Sequence, residues 1–363
     1  MNIFVIATTL QAGGGITIYK QFLSHLPEFI GENKYWIFVN PVLPKVDIKG
    51  VTYISFPLQS KIKRILFEGR WLKNYAKKNG IRPDVVLSLQ NNGYKCFDDC
   101  KHIVYYHQAL PLYRGNYSLF KKSERVFFNY KYIFPILVKR TWKKNTQFVV
   151  QTKVVKERFS SFFGISKDKI HVCFPDIEEI DPSLYKPYSW GDDKKHLIYV
   201  GDDCKYRNGI VLIEAMTALK ARNPKLAELI KIHITSTPEK SPIMNELMIQ
   251  KGVSSYFMFE GVVDHEKLLE YYKASSALVI PSSIETVGLP MLEAAAFGIP
   301  ILAADMDFAH EVLKGYNGVK FISIQDTSKW AKELENVCMV QNFFSPLKRN
   351  VNSDWNIFFS LVK

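Results

Sequence analysis

The chain is short of cysteine, of long apolar runs and of acidic residues, and each shortage excludes something. Five cysteines in 363 residues (Cys96, Cys100, Cys173, Cys204 and Cys338) are too few and too scattered for a disulfide framework. An odd, dispersed set points to reduced thiols. Cys96, Cys100 and His102 lie close together, but no second cluster follows to complete a structural zinc site. No uninterrupted apolar stretch approaches the roughly 18 residues of a membrane span. The apolar start, residues 1–7, has no basic n-region, the first basic residue being Lys20. It predicts a first strand instead of a secretory leader, and a protein that stays in the cytoplasm. Internal repeats and low-complexity tracts are absent.

Acidic residues number 35 against 48 Lys and Arg, for a formal net charge of +13. The excess is local. Residues 61–82 hold eight Lys or Arg against Glu68 alone, and residues 121–144 hold eight more against Glu124 alone. These two stretches together carry +14, so the remainder is close to neutral. The second interleaves its charges with Phe127, Phe128, Tyr130, Tyr132, Phe134 and Trp142. Basic, aromatic-rich amphipathic segments suit an anionic membrane surface. Nucleic acid is the other standard partner of such a patch, but no helix-turn-helix, zinc-finger or RNA-binding signature accompanies it. The plain alternative is a pair of helices solvated on one face.

With 47% apolar and 23% charged residues the chain is globular, and its length suits two domains better than one core. Strand and helix patterns alternate throughout, which predicts α/β units with parallel sheets. A strand over 2–7 leads into Gln11-Ala12-Gly13-Gly14-Gly15 and a helix from about Ile16 to Leu26. The glycines would let another molecule approach the backbone. They do not spell G-x-G-x-x-G, so a dinucleotide site is weakly supported. Strands over 35–40 and 51–56, a basic helix over 61–78 carrying Ile62, Ile65, Leu66, Leu72 and Ala76 at helical spacing, and strands over 85–89 and 103–106 follow. His107 sits where the last of these runs into its loop, the edge at which open parallel sheets bind ligands. Residues 176–193 contain Pro182 and Pro187 without clear periodicity and read as a linker between a domain over 1–175 and one over 194–350.

The stretch that concentrates chemistry is 281–311, PSSIETVGLPMLEAAAFGIPILAADMDFAHE. It predicts a loop, a helix over 289–297, a buried strand over 299–304 and another loop. Pro290 falls in the first helical turn, where its missing N–H costs nothing. Gly288 leaves the helix-start amides open, and a helix N-terminus suits a phosphate or pyrophosphate. Glu285 before that end and Glu293 one turn inside would repel an anion, so both are assigned to hydroxyls. Sugar hydroxyls, pyrophosphate and a ribose diol form such a layout. Asp305-Met306-Asp307 spells D-x-D, but its place after a strand in the second half argues for a polar loop instead of a metal site.

Glu285 and Glu293 with Gly288 between them resemble the E-x-F-G-x-x-x-x-E signature of the family-4 retaining glycosyltransferases (glycosyl transferases group 1), with Val287 in place of the usual Phe. The likeness is specific from Leu197 to Gly318 and looser before Val85. It implies the GT-B fold, two Rossmann-like doubly wound domains facing a central cleft, with a terminal helix over 351–363 crossing back onto the first domain. It implies that Glu285 and His107 contact the donor sugar, that Glu293 holds the ribose, and that Gly14 and Gly15 face the donor phosphates. Leu289 joins Gly288 at the phosphate-binding helix start. The loop Gly261-Val262-Val263 resembles the base-binding turn. After the next strand the family carries Gly-Arg and then Lys as a pyrophosphate clamp. Here Gly201 is kept, Arg207 falls at the lysine's place and Asp202 stands at the arginine's, so Lys205 and Arg207 are the cations available. The activity implied is metal-independent hexosyl transfer, with no cofactor, from a nucleotide sugar to a glycan or lipid-linked glycan in lipopolysaccharide O-antigen or capsule assembly. It would take place at the inner face of the cytoplasmic membrane. A binding subunit of weak activity is the competing reading, and Asp202 is its motive.

Overall fold

A computed structural model describes residues 1–11, 14–56, 61–339, 343–348 and 354–363, with the backbone alone for 61–67. The chain divides into two compact units, Met1–Asp176 with Val351–Lys363, and Ile177–Asn350. Among the described residues the first unit holds β1 (Asn2–Ala7), β2 (Lys34–Val39), β3 (Val51–Ser55), β4 (Val85–Ser88), β5 (Lys101–Tyr105), β6 (Gln147–Val150) and β7 (Ile170–Val172). They form one parallel sheet in the order β3-β2-β1-β4-β5-β6-β7. The order reverses between β1 and β4, the mark of a doubly wound sheet.

Both faces of this sheet are covered, which is why β1 is an unbroken apolar run. Ile3, Val5 and Ala7 point into a core shared with the helix Gly14–Phe29. Phe4 and Ile6 point the other way, against Leu72 and Ala76 of the helix Lys61–Lys78. The first core also takes Trp355, Phe358 and Phe359 from the short helix Trp355–Ser360. The first long helix starts at Gly14, not near Ile16, so Gly14 and Gly15 are helical residues and not loop. A glycine costs little at a helix start, where interior backbone order is not yet required. Ala12 and Gly13 lie outside the described residues, as do the side chains of Ile62, Ile65 and Leu66.

The basic stretch 121–144 is a broken helical run: a 3₁₀ turn at Lys122–Glu124, helix Arg125–Phe128, a π-turn at Asn129–Ile133 and helix Phe134–Thr141. Not all its cations face water. Lys131 is buried, its Nζ donating to the carbonyls of Tyr113 and Gly115.

The second unit holds β8 (Lys195–Tyr199), β9 (Ile230–Ile234), β10 (Phe257–Phe259), β11 (Ala277–Ile280), β12 (Ile301–Ala304) and β13 (Val319–Ile322) among the described residues. The parallel order is β10-β9-β8-β11-β12-β13, reversing between β8 and β11. β12 begins at Ile301, two residues later than the apolar run suggests, because Pro300 donates no amide. The segment expected as a linker packs onto this unit through aromatic rings: Tyr188 against Tyr271, with centroids 4.8 Å apart, and Trp190 stacked on His196 at 4.7 Å. Prolines do not make a segment free when it carries rings to bury. No helix among the described residues is long and apolar enough to cross a membrane.

Candidate functional site

Ligands of open parallel sheets bind beyond the strand carboxyl ends where the order reverses, and in the second unit that point is flanked by the loops after β8 and β11. The two loops are stitched together. Ser283 N donates to Tyr206 O at 2.7 Å, and Asn208 Nδ2 donates to Pro281 O at 2.9 Å and to Ser283 Oγ at 2.5 Å. Asn208 adopts the left-handed conformation, φ 51°, which asparagine tolerates better than most residues. Gly201 lies against the Tyr199 ring, where a Cβ would sit 2.8 Å from Cζ, and Tyr199 Oη donates to Asp202 O at 2.8 Å.

Arg207 is pinned in this frame. Its Nη1 donates to Val200 O at 3.0 Å and its Nε lies 3.7 Å from Asp202 Oδ1. Burial by itself would lower the guanidinium's pKa, but the Glu285 carboxylate, Tyr206 and Asp202 hold it above its ordinary value. Glu285 shows the reciprocal balance. Burial pushes its carboxyl above the usual range, while Arg207 and a hydrogen bond from Ser282 pull it back. Asp202 also accepts from Cys204 N at 3.1 Å, so at the place expected for an arginine it closes a turn and neutralises part of Arg207. Lys205 is exposed in the same 3₁₀ turn, Lys205–Arg207.

The helix Leu289–Ala296 begins beside this pair. Gly288 at its N-cap has φ 76°, a left-handed conformation that favours glycine, and a Cβ there would press only on Cε, the movable end of Met291. Pro290 has no amide and Met291 N donates to Gly288 O at 2.9 Å, so in the first turn the Leu289 amide is the one placed to meet an anion. One turn on, Glu293 Oε1 accepts from His265 Nε2 at 3.1 Å, and the Tyr272 hydroxyl faces the same carboxylate. The bond to Glu293 raises the His265 pKa. Gly261, φ 76°, turns the chain after β10 and donates to Ser236 O at 2.9 Å, leaving Val262 79% exposed.

In the first unit Gly15 and His107 meet. A Cβ on Gly15 would lie 3.2 Å from His107 Cε1, whereas one on Gly14 would meet nothing within 4 Å. The His107 ring is held by Nε2 at 3.2 Å from Leu89 O, and its backbone amide donates to Asn91 Oδ1 at 2.9 Å. Burial lowers its pKa, so the ring is neutral near pH 7 and Nδ1 keeps its lone pair for a hydroxyl.

The expected site residues thus form two groups, one in each unit. The sequence reading missed Asn208, Ser283 and His265. The dipeptide Asn208-Gly209 is a turn signal that could have found the first. In the loop over 305–307 Asp305 Oδ1 bonds His310 Nε2 at 2.7 Å, while Asp307 opens the helix Asp307–Val312. His102 Nε2 is likewise engaged with Phe97 O at 2.8 Å, with Cys100 Sγ 3.4 Å away.

Comparison with known proteins agrees with this geometry. Residues 183–338 match the family described as glycosyl transferases group 1. An uncharacterized glycosyltransferase of Methanocaldococcus jannaschii is 29% identical over 186 residues, 47% of this chain and 45% of that protein, so the chain spans less than half of that relative's length. The O-antigen chain mannosyltransferase of Salmonella typhimurium is 22% identical over 246 residues, 66% of each chain. The crystal structure of WaaG, a glycosyltransferase involved in lipopolysaccharide biosynthesis, superposes with a TM-score of 0.64 at 16% identity, covering 94% of this chain and 91% of that one. That likeness establishes the fold as GT-B, built here from two doubly wound parallel sheets. The likeness to the glycosyl transferases group 1 family therefore lies within the second unit, over residues 183–338.

Proposed function

We propose that the chain is a hexosyltransferase that moves a sugar from a nucleoside diphosphate donor to an acceptor hydroxyl with retention of configuration. The carrying observation is the convergence of Arg207, Glu285 and the Gly288 helix start at the reversal point of the second sheet. Arg207, helped by Lys205, and the Leu289 amide at the positive end of the Leu289–Ala296 helix receive the diphosphate and stabilise the charge that grows on it as it leaves. Glu285 and His107 accept from sugar hydroxyls, and Glu293 exchanges its bond from His265 for the ribose diol. The acceptor oxygen attacks the anomeric carbon on the face from which the diphosphate departs. The bond to the phosphate oxygen breaks, and that oxygen takes the acceptor's proton.

Fixed cations and a helix start do this work without a metal ion, so EDTA should leave the rate unchanged. A drop restored by a divalent cation would refute this.

The test of the donor site is thermal unfolding with UDP, GDP, dTDP and CMP in parallel. A ligand at a hundred times its dissociation constant adds about 2.7 kcal/mol, which raises the midpoint of a unit this size by roughly 5–10 °C. One diphosphate should do so, and Glu293→Ala should abolish the shift. No shift with any of them would favour the second reading, a binding subunit of weak activity, whose support is Asp202 beside the clamp. Asp202→Asn separates the two. Asparagine can close the same turn while removing the charge next to Arg207, so diphosphate affinity should rise about fivefold, the scale of a part-exposed ion pair. An unchanged dissociation constant would mean that Asp202 does not share Arg207 with the ligand.

The acceptor class that fits is a glycan or lipid-linked glycan of surface polysaccharide assembly, lipopolysaccharide O-antigen or capsule. The related mannosyltransferase and WaaG carry such assignments in their names. Phe120, 91% exposed, and the exposed Leu119, Val126 and Ile136 stand among Lys121, Lys122, Arg125 and Lys139, an arrangement suited to the inner face of an anionic membrane. Co-sedimentation with anionic vesicles at low salt should occur and should fall with Phe120→Ser. Its absence would remove the membrane from the proposal.

A further inference from the structure

Away from the candidate site, the second unit buries a chain of titratable groups that the proposed reaction does not use. His196 on β8 and His233 on β9 are 5% and 4% exposed, and their rings meet, His196 Nδ1 lying 2.8 Å from His233 Nε2. Each outer nitrogen meets a carboxylate. His196 Nε2 is 2.8 Å from Asp192 Oδ1, and His233 Nδ1 is 2.6 Å from Glu260 Oε1. Glu260 Oε2 in turn accepts from the Tyr271 hydroxyl at 2.8 Å. The Trp190 ring covers both imidazoles, its centroid 4.7 Å from that of His196 and 3.9 Å from that of His233. Its indole N–H has no acceptor among the described residues, so the ring is held through its faces.

The three contacts of the two rings (carboxylate to ring, ring to ring, ring to carboxylate) need three N–H protons, and two neutral imidazoles carry two. With only two, one contact would set lone pair against lone pair in a buried place, which is costly. With four, N–H would face N–H between the rings. Three protons satisfy every contact, and the single positive charge then belongs to the pair and lies between Asp192 and Glu260. The bonds from His233 and Tyr271 hold the Glu260 carboxyl below its ordinary range, so the third proton stays on the rings. Other charges surround the chain without entering it. Lys194 and Lys231 lie near its Asp192 end, with Glu228 beside Lys231, and Lys267 lies near its Glu260 end.

We propose that the His196–His233 pair is a proton-held latch: the third proton keeps Trp190 and its segment, residues 188–192, on the second sheet, and losing it or adding a fourth releases them. Glu260 directly precedes Gly261, so the same proton fixes the turn that leaves Val262 exposed. The latch does not rest on the glycosyl-transfer reading. Stability from this chain is greatest near the ordinary histidine value of 6.5 and falls on both sides. Above it the unfolded rings give up their protons while the folded pair keeps one, so the stabilisation fades as pH rises through the pair's raised value. Below it the unfolded rings take up two protons where the folded pair holds one, because burial and His233 keep His196 below its ordinary value.

The test is NMR of the full chain with isotope-labelled histidine. At about pH 7.5, where a free histidine is mostly neutral, one imidazole should carry protons on both nitrogens, and His233→Gln should abolish that signal. Asp192→Asn is the milder variant, at a side chain 44% exposed. It keeps an acceptor for His196 and for Lys194 N but removes the charge. The pH at which the third proton leaves should fall by about half a unit or more. Trp190 reports the latch itself through the emission difference between wild type and Trp190→Phe. That emission should rise as pH passes the same midpoint, because an imidazolium stacked on indole quenches it. Two singly protonated rings at about pH 7.5, an unmoved midpoint in Asp192→Asn, or a Trp190 emission indifferent to pH would each overturn the proposal.

Discussion

Arg207→Ala should slow glycosyl transfer by about 10²–10³-fold, the usual loss when one preorganised group facing developing charge is removed. Two effects combine. The departing diphosphate loses the cation that Val200 O and Asp202 hold in place. Glu285 loses the neighbour that opposes its burial. Its carboxyl, already above the ordinary range, should rise further, so more of it is protonated at any given acidic pH. The sign is therefore fixed: the acid limb of the pH–rate profile should move to higher pH in the variant. Arg207→Lys should keep the charge and recover part of the rate, but not the flat two-pronged grip of a guanidinium. The measurement is kcat/KM against pH for the three proteins with the diphosphate sugar that stabilises the wild type. A rate loss with an unmoved acid limb would mean that Arg207 and Glu285 act independently. No rate loss would remove Arg207 from the site.

Much of this architecture was legible because burial on both faces writes parallel strands as continuous apolar runs. Residues 3–7 and 277–280 can hardly be anything else in an alternating chain. The helix start at Leu289 was legible for a local reason: Gly288, Pro290 and the apolar face that follows are adjacent in sequence. Where partners lie far apart, local pattern fails. The His265–Glu293 bond joins residues 28 apart, and the Asn208–Ser283 stitch joins residues 75 apart. Neither leaves a period to detect. Charge misleads in the same way. Lys131 belongs to a basic stretch that reads as solvated, yet it ends on two backbone carbonyls inside the first unit. Glu68 looks like an ordinary acid on a basic helix until Thr8 and Gln90 are seen to arrive from two strand ends. Both units therefore follow one rule, with polar residues at strand carboxyl ends gathered where the strand order reverses. Only the second unit's set was readable as a motif, because there the chemistry lies within one loop and one helix turn.

Trp355→Ala should destabilise the first unit by about 3–5 kcal/mol, the range for truncating a fully buried large aromatic ring. The helix Trp355–Ser360 is six residues long, too short to hold itself together in water. Its stability comes from packing. Trp355 stacks on His25 with ring centroids 5.7 Å apart, and Phe359 stacks on Phe29 at 4.5 Å and on Phe22 at 5.6 Å. Asp354 adds an anchor by accepting from Phe174 N at 2.9 Å, and His25 pairs with Asp176 at 2.5 Å beside it. Residues from the two ends of the first unit's long segment are thus tied through the last helix of the chain. Removing the Trp355 ring opens a cavity under Phe22 and Tyr105, which the sheet is too rigid to close. The unfolding midpoint of this unit should fall by roughly 10 °C or more. The readout is calorimetry with and without nucleoside diphosphate. The ligand's binding constant should stay near the wild-type value, since its residues lie in the second unit. A midpoint within 2 °C or so of wild type would mean the C-terminal helix is only a passenger, because a one-kilocalorie change already moves a unit of this size by about 2–4 °C. Equal losses of stability and nucleotide affinity would mean instead that the two units unfold as one.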